Sequence, residues 1–227
     1  MSIRFKRIYL IISILLCAIV MSLIDGIIQP TYIIKSIIKV VLFLIVPLIY
    51  FLINKEELKN FKQLFIPKKK SFLISLGLGI IVFGVILGGY FLFRNIIDFS
   101  NITNNLTQGA GVNKDNFIFV AIYISFCNSL LEEFFFRGYA FLNLKNVIPR
   151  KIAYTISAGM FALYHVGMTI DMFNPILFVI TFIGLYVGGV IFNILNEKCN
   201  NIYCSWLVHM FANFAINTIG LILFGII

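Results

Sequence analysis

Two adjacent carboxylates and an arginine stand inside an apolar run, Asn128-Ser-Leu-Leu-Glu132-Glu133-Phe-Phe-Phe-Arg137-Gly-Tyr139. On insertion scales each such charge at the bilayer centre costs roughly 2.5–3.5 kcal/mol, so a membrane chain that keeps three together is expected to pair them and to use them. Glu133 and Arg137 are four residues apart with the acid first, the better orientation for a helical ion pair. Glu132 lies about 100° round the helix from Glu133, and the residue four positions on from it is Phe136 rather than a base. The expectation is one structural pair, Glu133 with Arg137, and one spare carboxylate, Glu132. Asn128, one turn before Glu132, is its candidate hydrogen-bond partner. The bland alternative is that all three charges only hold helices together.

The chain has two histidines. His165 ends Phe161-Ala-Leu-Tyr-His165, and His209 opens His209-Met-Phe-Ala-Asn213, which sets an imidazole and an amide on one helical face. Trp206, a turn earlier, could wall that face. A lone histidine on an apolar face is ordinarily a satisfied core residue, but depth argues for more. At 1.5 Å per residue, Glu132 lies roughly 20 Å from Lys145 and His165 roughly 21 Å from Lys151. His209 and Asn213 lie roughly 12 and 18 Å beyond Asn201. Three helices therefore bring polar residues to overlapping depths, as one shared site would require.

A carboxylate, two imidazoles and an amide in a dry cavity suit the activation of water. Glu132 is the candidate general base, and His165 would orient the water or share its proton. His209 and Asn213 would donate hydrogen bonds to the oxyanion that develops on a peptide carbonyl. The same residues resemble a zinc set of two histidines and a carboxylate. The expected cofactor is therefore none or one divalent metal, zinc first, held by Glu132, His165 and His209. The sequence contains no HExxH, and no GxSxG or Ser–Lys arrangement recommends itself.

The elements that must position these groups follow from composition. The chain of 227 residues is 61% hydrophobic and 12% charged, with a mean hydropathy of +1.02. Soluble domains carry about 25% charged residues, so an all-α, polytopic transmembrane bundle of about seven or eight membrane helices is expected, forming a single integral membrane domain over 1–227. Residues 1–116 would supply N-terminal spans and a polar loop, and 117–217 the catalytic core. Spans are expected near 8–24, 36–53, 71–93, 117–144, 151–166, 175–195 and 202–222. The N-terminal span offers no small-x-small cleavage site and reads as a retained anchor. Asp25-Gly26 with Gln29-Pro30 would make the first turn, Pro47 would kink the second span, and residues 56–61 could form a short interfacial helix. Residues 95–116 read as a polar loop. Gly84 and Gly88 form a GxxxG, read as ordinary packing between helices of this chain. The 28-residue fourth span exceeds the roughly 20 needed to cross, so it tilts, breaks or runs past the surface.

The net charge of +9 does not indicate nucleic acid, because the basic residues fall between spans. With the N-terminus cytoplasmic, thirteen of the eighteen Lys and Arg lie on the inner side. Lys35, Lys39, Arg94 and Lys114 lie in outer segments or at span ends, the bias that the positive-inside rule describes. Cys17, Cys127, Cys199 and Cys204 show no metal-site spacing and read mainly as small apolar filler. The Ile, Lys and Asn content hints at an AT-rich bacterial genome.

Glu132-Glu133-x-x-x-Arg137, Phe161-x-x-x-His165 and His209-x-x-x-Asn213, in that order on successive membrane helices, resemble the CPBP family. These are the CAAX proteases and bacteriocin-processing enzymes, also called the Abi family of intramembrane proteases. The resemblance covers about residues 117–217. It implies that Glu132 is the catalytic glutamate, Glu133 its accompanying acid and Arg137 the brace of that motif. It also implies that His165 is the second-motif histidine and that His209 with Asn213 bind the transition state. The family is commonly labelled metalloprotease, although a metal-free glutamate mechanism is also argued for it. The expected function is an intramembrane endopeptidase in a bacterial cell membrane, acting on a membrane-associated peptide or protein. Two other classes compete: a non-catalytic bacteriocin-immunity or scaffold protein, and a small transporter. The transporter would show an internal repeat, and the N-terminal half has no counterpart of the charged cluster.

Overall fold

With no water in hydrocarbon, backbone polar groups must be satisfied within the segment, and this chain does so with helices. The computed structural model describes residues 2–66, 68–169 and 175–227, and no strand occurs among them. The order is α1 (Ile3–Ile28), α2 (Tyr32–Ile53), α3 (Lys55–Gln63), α4 (Lys69–Phe93) and α5 (Ser100–Ala110). There follow α6 (Phe117–Leu144), α7 (Arg150–Thr169), α8 (Pro175–Cys199) and α9 (Ile202–Leu223). Among the described residues, six of these are long and apolar enough to cross a membrane. The fifth expected span, α7, is not among the six, because its basic start and its small polar residues lower its hydropathy. It packs against α1 and α8 instead. The protein is a multi-pass helical bundle.

Several local expectations change. Asp25 and Gly26 stay helical, in a π turn over Ile24–Ile28, because the buried Asp25 carboxylate finds Lys35 of α2 at 2.7 Å. The chain reverses after Gln29, whose φ of 45° is left-handed. Pro47 lacks the N–H of an ordinary helical bond, and the helix widens to a π turn over Val41–Ile45 just before it. The polar stretch 95–116 is not all loop, since α5 forms within it and ends on Gly111 at φ 67°. The short helix expected near 56–61 is α3. The GxxxG expectation is overturned: a Cβ at Gly84 or Gly88 would meet nothing within 4 Å. The close approach on α4 is made by Gly79, where a Cβ would come within 2.7 Å of the Phe211 ring of α9.

The central element is α6. It is one helix from Phe117 to Leu144, interrupted by π turns over Ile124–Asn128 and Phe134–Phe141. A π turn leaves carbonyls without their usual partner, and neighbouring side chains supply donors. From α9, Asn217 Nδ2 donates to Ala121 O at 3.1 Å, Asn213 Nδ2 to Ile124 O at 3.2 Å, and Trp206 Nε1 to Phe126 O at 3.2 Å. From α7, Ser157 Oγ donates to Phe136 O at 2.9 Å. These bonds key α7 and α9 to α6 in one register. The N-terminal hairpin joins on the other side, where Gly167 of α7 lies so close to Ser22 of α1 that a Cβ would fall on its backbone. Phe43 of α2 stacks on Phe135 at 4.2 Å and meets Phe136 edge-on at 5.4 Å. Such pairs contribute about 0.5–1.5 kcal/mol each, and packing is what holds helices together in lipid.

Candidate active site

Helix α6 carries Glu132 and Glu133 between its two π turns, and both are buried. The two oxygens of Glu132 have different surroundings. Oε1 accepts from Asn128 Nδ2 at 2.7 Å and from the Tyr164 hydroxyl at 3.1 Å, and Lys39 Nζ lies 3.4 Å away. Oε2 is buried and makes no hydrogen bond among the described residues. It faces His165 Nε2 and His209 Nε2, each at 3.8 Å.

The histidines are held by their other nitrogens. His165 Nδ1 lies 2.7 Å from Phe161 O, one turn back on α7. His209 Nδ1 lies 3.0 Å from Glu133 Oε1. If those nitrogens carry the proton, both Nε2 lone pairs turn toward Glu132. The His209 ring also stacks on Phe192 of α8, with centroids 5.2 Å apart.

Glu133 and Arg137 form their i, i+4 ion pair at 3.2 Å, with both side chains fully buried. The guanidinium makes no aligned hydrogen bond among the described residues. It lies 4.2 Å from the Phe161 ring centroid and 4.8 Å from that of Phe192, where cation–π attraction replaces hydration. Glu133 thus touches Arg137 on its own helix and His209 on α9.

Four of the expected residues, Glu132, Glu133, His165 and His209, meet within hydrogen-bonding or near-contact distance. Asn213 is one turn from His209 and only 9% exposed, but its amide is turned to Ile124 O. Trp206 does not simply wall the site: its Nε1 donates to Ser129 Oγ at 3.0 Å and to Phe126 O, just N-terminal to Glu132.

The reading of Glu132 as a spare carboxylate is overturned, because Lys39 of α2 is its partner. Lys39 is not an outer or span-end residue but a buried one, 7% exposed. Its Nζ donates to Asn128 Oδ1 at 2.7 Å and lies 5.0 Å from the Tyr164 ring centroid. A pair 93 residues apart leaves no trace in helical spacing. A signal existed nonetheless: Lys39 lies within an apolar run, where an ionisable residue needs a partner.

Residues 114–215 match the family model described as type II CAAX prenyl endopeptidase Rce1-like. This segment belongs to the CAAX protease family. It spans a little under half of the chain, contains every residue expected to do chemistry, and is that of a membrane-embedded peptidase. Lys39 lies outside it. No curated protein and no solved structure matches the chain.

The CAAX-protease segment can be tested for a metal by its donors. An orphaned carboxylate oxygen and two Nε2 atoms face one point, and each histidine's Nδ1 rests on a carboxylate or a backbone carbonyl, the support that zinc-binding histidines use. The donor set therefore fits zinc in kind. Its separations of 3.8 Å exceed the roughly 3.4 Å between tetrahedral ligands at 2.0–2.1 Å, and no group of three or more such residues among those described lies close enough to hold an ion.

Proposed function

We propose that the chain is an intramembrane endopeptidase that hydrolyses a peptide bond of a membrane-associated peptide or protein, with water activated by Glu132. The observation that carries this reading is the free Oε2 of Glu132, buried and facing two imidazoles, in a site where the other carboxylate gives its Oε1 to both Arg137 and His209. A water facing three acceptors offers only two protons. We assign those to Glu132 Oε2 and His165 Nε2, and give His209 a proton of its own, since its Nδ1 rests on the Glu133 carboxylate. Attack of that water on the substrate carbonyl transfers one proton to Glu132. His209 Nε2–H and the second amide N–H of Asn213 then stabilise the tetrahedral oxyanion. Collapse breaks the C–N bond, and the proton on Glu132 passes to the leaving amine.

Zinc is the second reading of the same atoms. Glu132, His165 and His209 would hold it, and it would polarise the carbonyl and acidify bound water. Elemental analysis of purified protein, before and after chelation, distinguishes the two readings. The family description names prenylated CAAX substrates. We carry over the peptidase chemistry and leave prenyl recognition to the assay. We place the protein in the cell membrane with the N-terminus and the lysine-rich α3 segment cytoplasmic, on the charge bias.

The test is cleavage, followed by mass spectrometry, of a farnesylated CAAX peptide and of an unprenylated membrane-anchored peptide by purified protein in lipid. Glu132→Ala, His165→Ala and His209→Ala are expected to lose turnover. Full cleavage by Glu132→Ala removes the base assignment. Equal activity in cells of wild type and all three variants favours the immunity or scaffold reading.

A further inference from the structure

The buried charges around the site come from two parts of the chain. Glu132, Glu133 and Arg137 lie on α6, within the CAAX-protease segment; Lys39 comes from α2, outside it. The three α6 charges leave one negative charge over, and Lys39 sets a cation from outside that helix beside it. Its contacts do more than balance charge. Lys39 Nζ takes Asn128 Oδ1 at 2.7 Å, which fixes the amide so that Nδ2 points at Glu132 Oε1, 2.7 Å away. Nζ itself lies 3.4 Å from that oxygen. The Tyr164 hydroxyl donates to it as well, and the Tyr164 ring faces Nζ. All three groups act on one oxygen. The other, Oε2, is left without a bond and faces the histidines.

We propose that Lys39 is a positioning residue for the catalysed reaction: with Asn128 and Tyr164 it pins Oε1 of Glu132, so that Oε2 alone is presented to water and the two imidazoles. The N-terminal hairpin is then part of the active site and not merely a membrane anchor. Removing Lys39 lets the carboxylate rotate and lets Asn128 flip, because the amide no longer has a cation on its oxygen. A displacement of about 1 Å at a reacting group costs on the order of 100-fold in rate. The loss falls on the chemical step, since Lys39 is assigned no contact with substrate.

For turnover, the proposal rests on the endopeptidase reading, so the experiment has two arms. The first measures kcat and KM per folded protein for wild type, Lys39→Met and Lys39→Arg. Lys39→Met is expected to lower kcat about 10–100-fold with KM within about twofold, and Lys39→Arg, which keeps the cation, to recover about tenfold of a hundredfold loss. The second arm is a thermal-unfolding cycle of wild type, Lys39→Met, Glu132→Gln and the double variant in detergent. Coupled residues give losses that do not add, so the double variant should melt no lower than the worse single variant. If Lys39→Met does not fold, Lys39→Gln, which keeps a donor, replaces it in both arms. A folded Lys39 variant with wild-type kcat, or melting losses that simply add, overturns the proposal. If the wild type cleaves neither peptide, the endopeptidase reading fails on its own, and the unfolding cycle still decides whether Lys39 and Glu132 are coupled.

Discussion

Replacing Arg137 by alanine removes the guanidinium paired with Glu133 and leaves that buried carboxylate with His209 as its partner among the described residues. Breaking a buried pair by deleting one partner costs about 3–5 kcal/mol. The guanidinium is also held between Phe161 and Phe192, and a desolvated cation–π contact contributes about 2 kcal/mol. The two effects overlap, so about 5 kcal/mol is a reasonable total. At about 2–4 °C per kcal/mol for a chain of this length, the melting midpoint should fall on the order of 10–20 °C. The assay is thermal unfolding of purified protein in detergent, with size-exclusion chromatography to report folded yield. A control keeps the volume and removes both charges: Glu133→Gln with Arg137→Met should melt well above Arg137→Ala. If Arg137→Ala melts within 2–3 °C of wild type, the guanidinium does not brace this helix and the division of labour between the two glutamates is wrong.

Further perturbations separate packing from chemistry. Gly167→Ala should sharply reduce folded yield, since the new methyl would fall on the Ser22 backbone; a normal yield would mean α1 and α7 are not in that contact. Gly84→Ala on α4, which meets open space, should be neutral or raise stability by up to about 1 kcal/mol through helix propensity, and a large loss there would place a helix against it. Asn217→Ala and Asn213→Ala each remove the side-chain donor from a π-turn carbonyl of α6, which keeps only a backbone N–H, and should cost about 0.5–1.5 kcal/mol in stability. Only Asn213→Ala should also lower kcat per folded protein, by about 100–1,000-fold; equal kcat values would return Asn213 to a purely structural role.

Much of this architecture was legible in the sequence because hydrocarbon imposes simple rules. A run long enough to cross has to be helical, and the helices from Phe117 onward lie close to the limits expected of them, although α7 is not among the six apolar enough to cross. Glu133 and Arg137 were readable because helical spacing brings them together. His165, His209 and Glu132 were readable because their depths agreed. What escaped were interactions that periodicity does not encode. Lys39 reaches Glu132 across 93 residues, and a charge count assigned it to a span end. Asn213 and Asn217 serve carbonyls freed by π turns, which have no sequence signature of comparable strength. The glycines show a related limit: Gly84 and Gly88 have the spacing of a packing motif, yet Gly79 and Gly167 make the close approaches, as their partners Phe211 and Ser22 determine.

The central claim is that Glu132 does the chemistry while Glu133 holds the structure, and Glu132→Gln tests it most directly. Glutamine keeps an oxygen for Asn128 and Tyr164 and puts an amide where Oε2 faces the two imidazoles, so the fold should survive apart from the lost partner of Lys39. In purified, folded protein, cleavage of whichever peptide the wild type accepts should fall by at least the 100–10,000-fold typical of a general base. Glu132→Gln protein that is folded and cleaves at the wild-type rate would contradict the account.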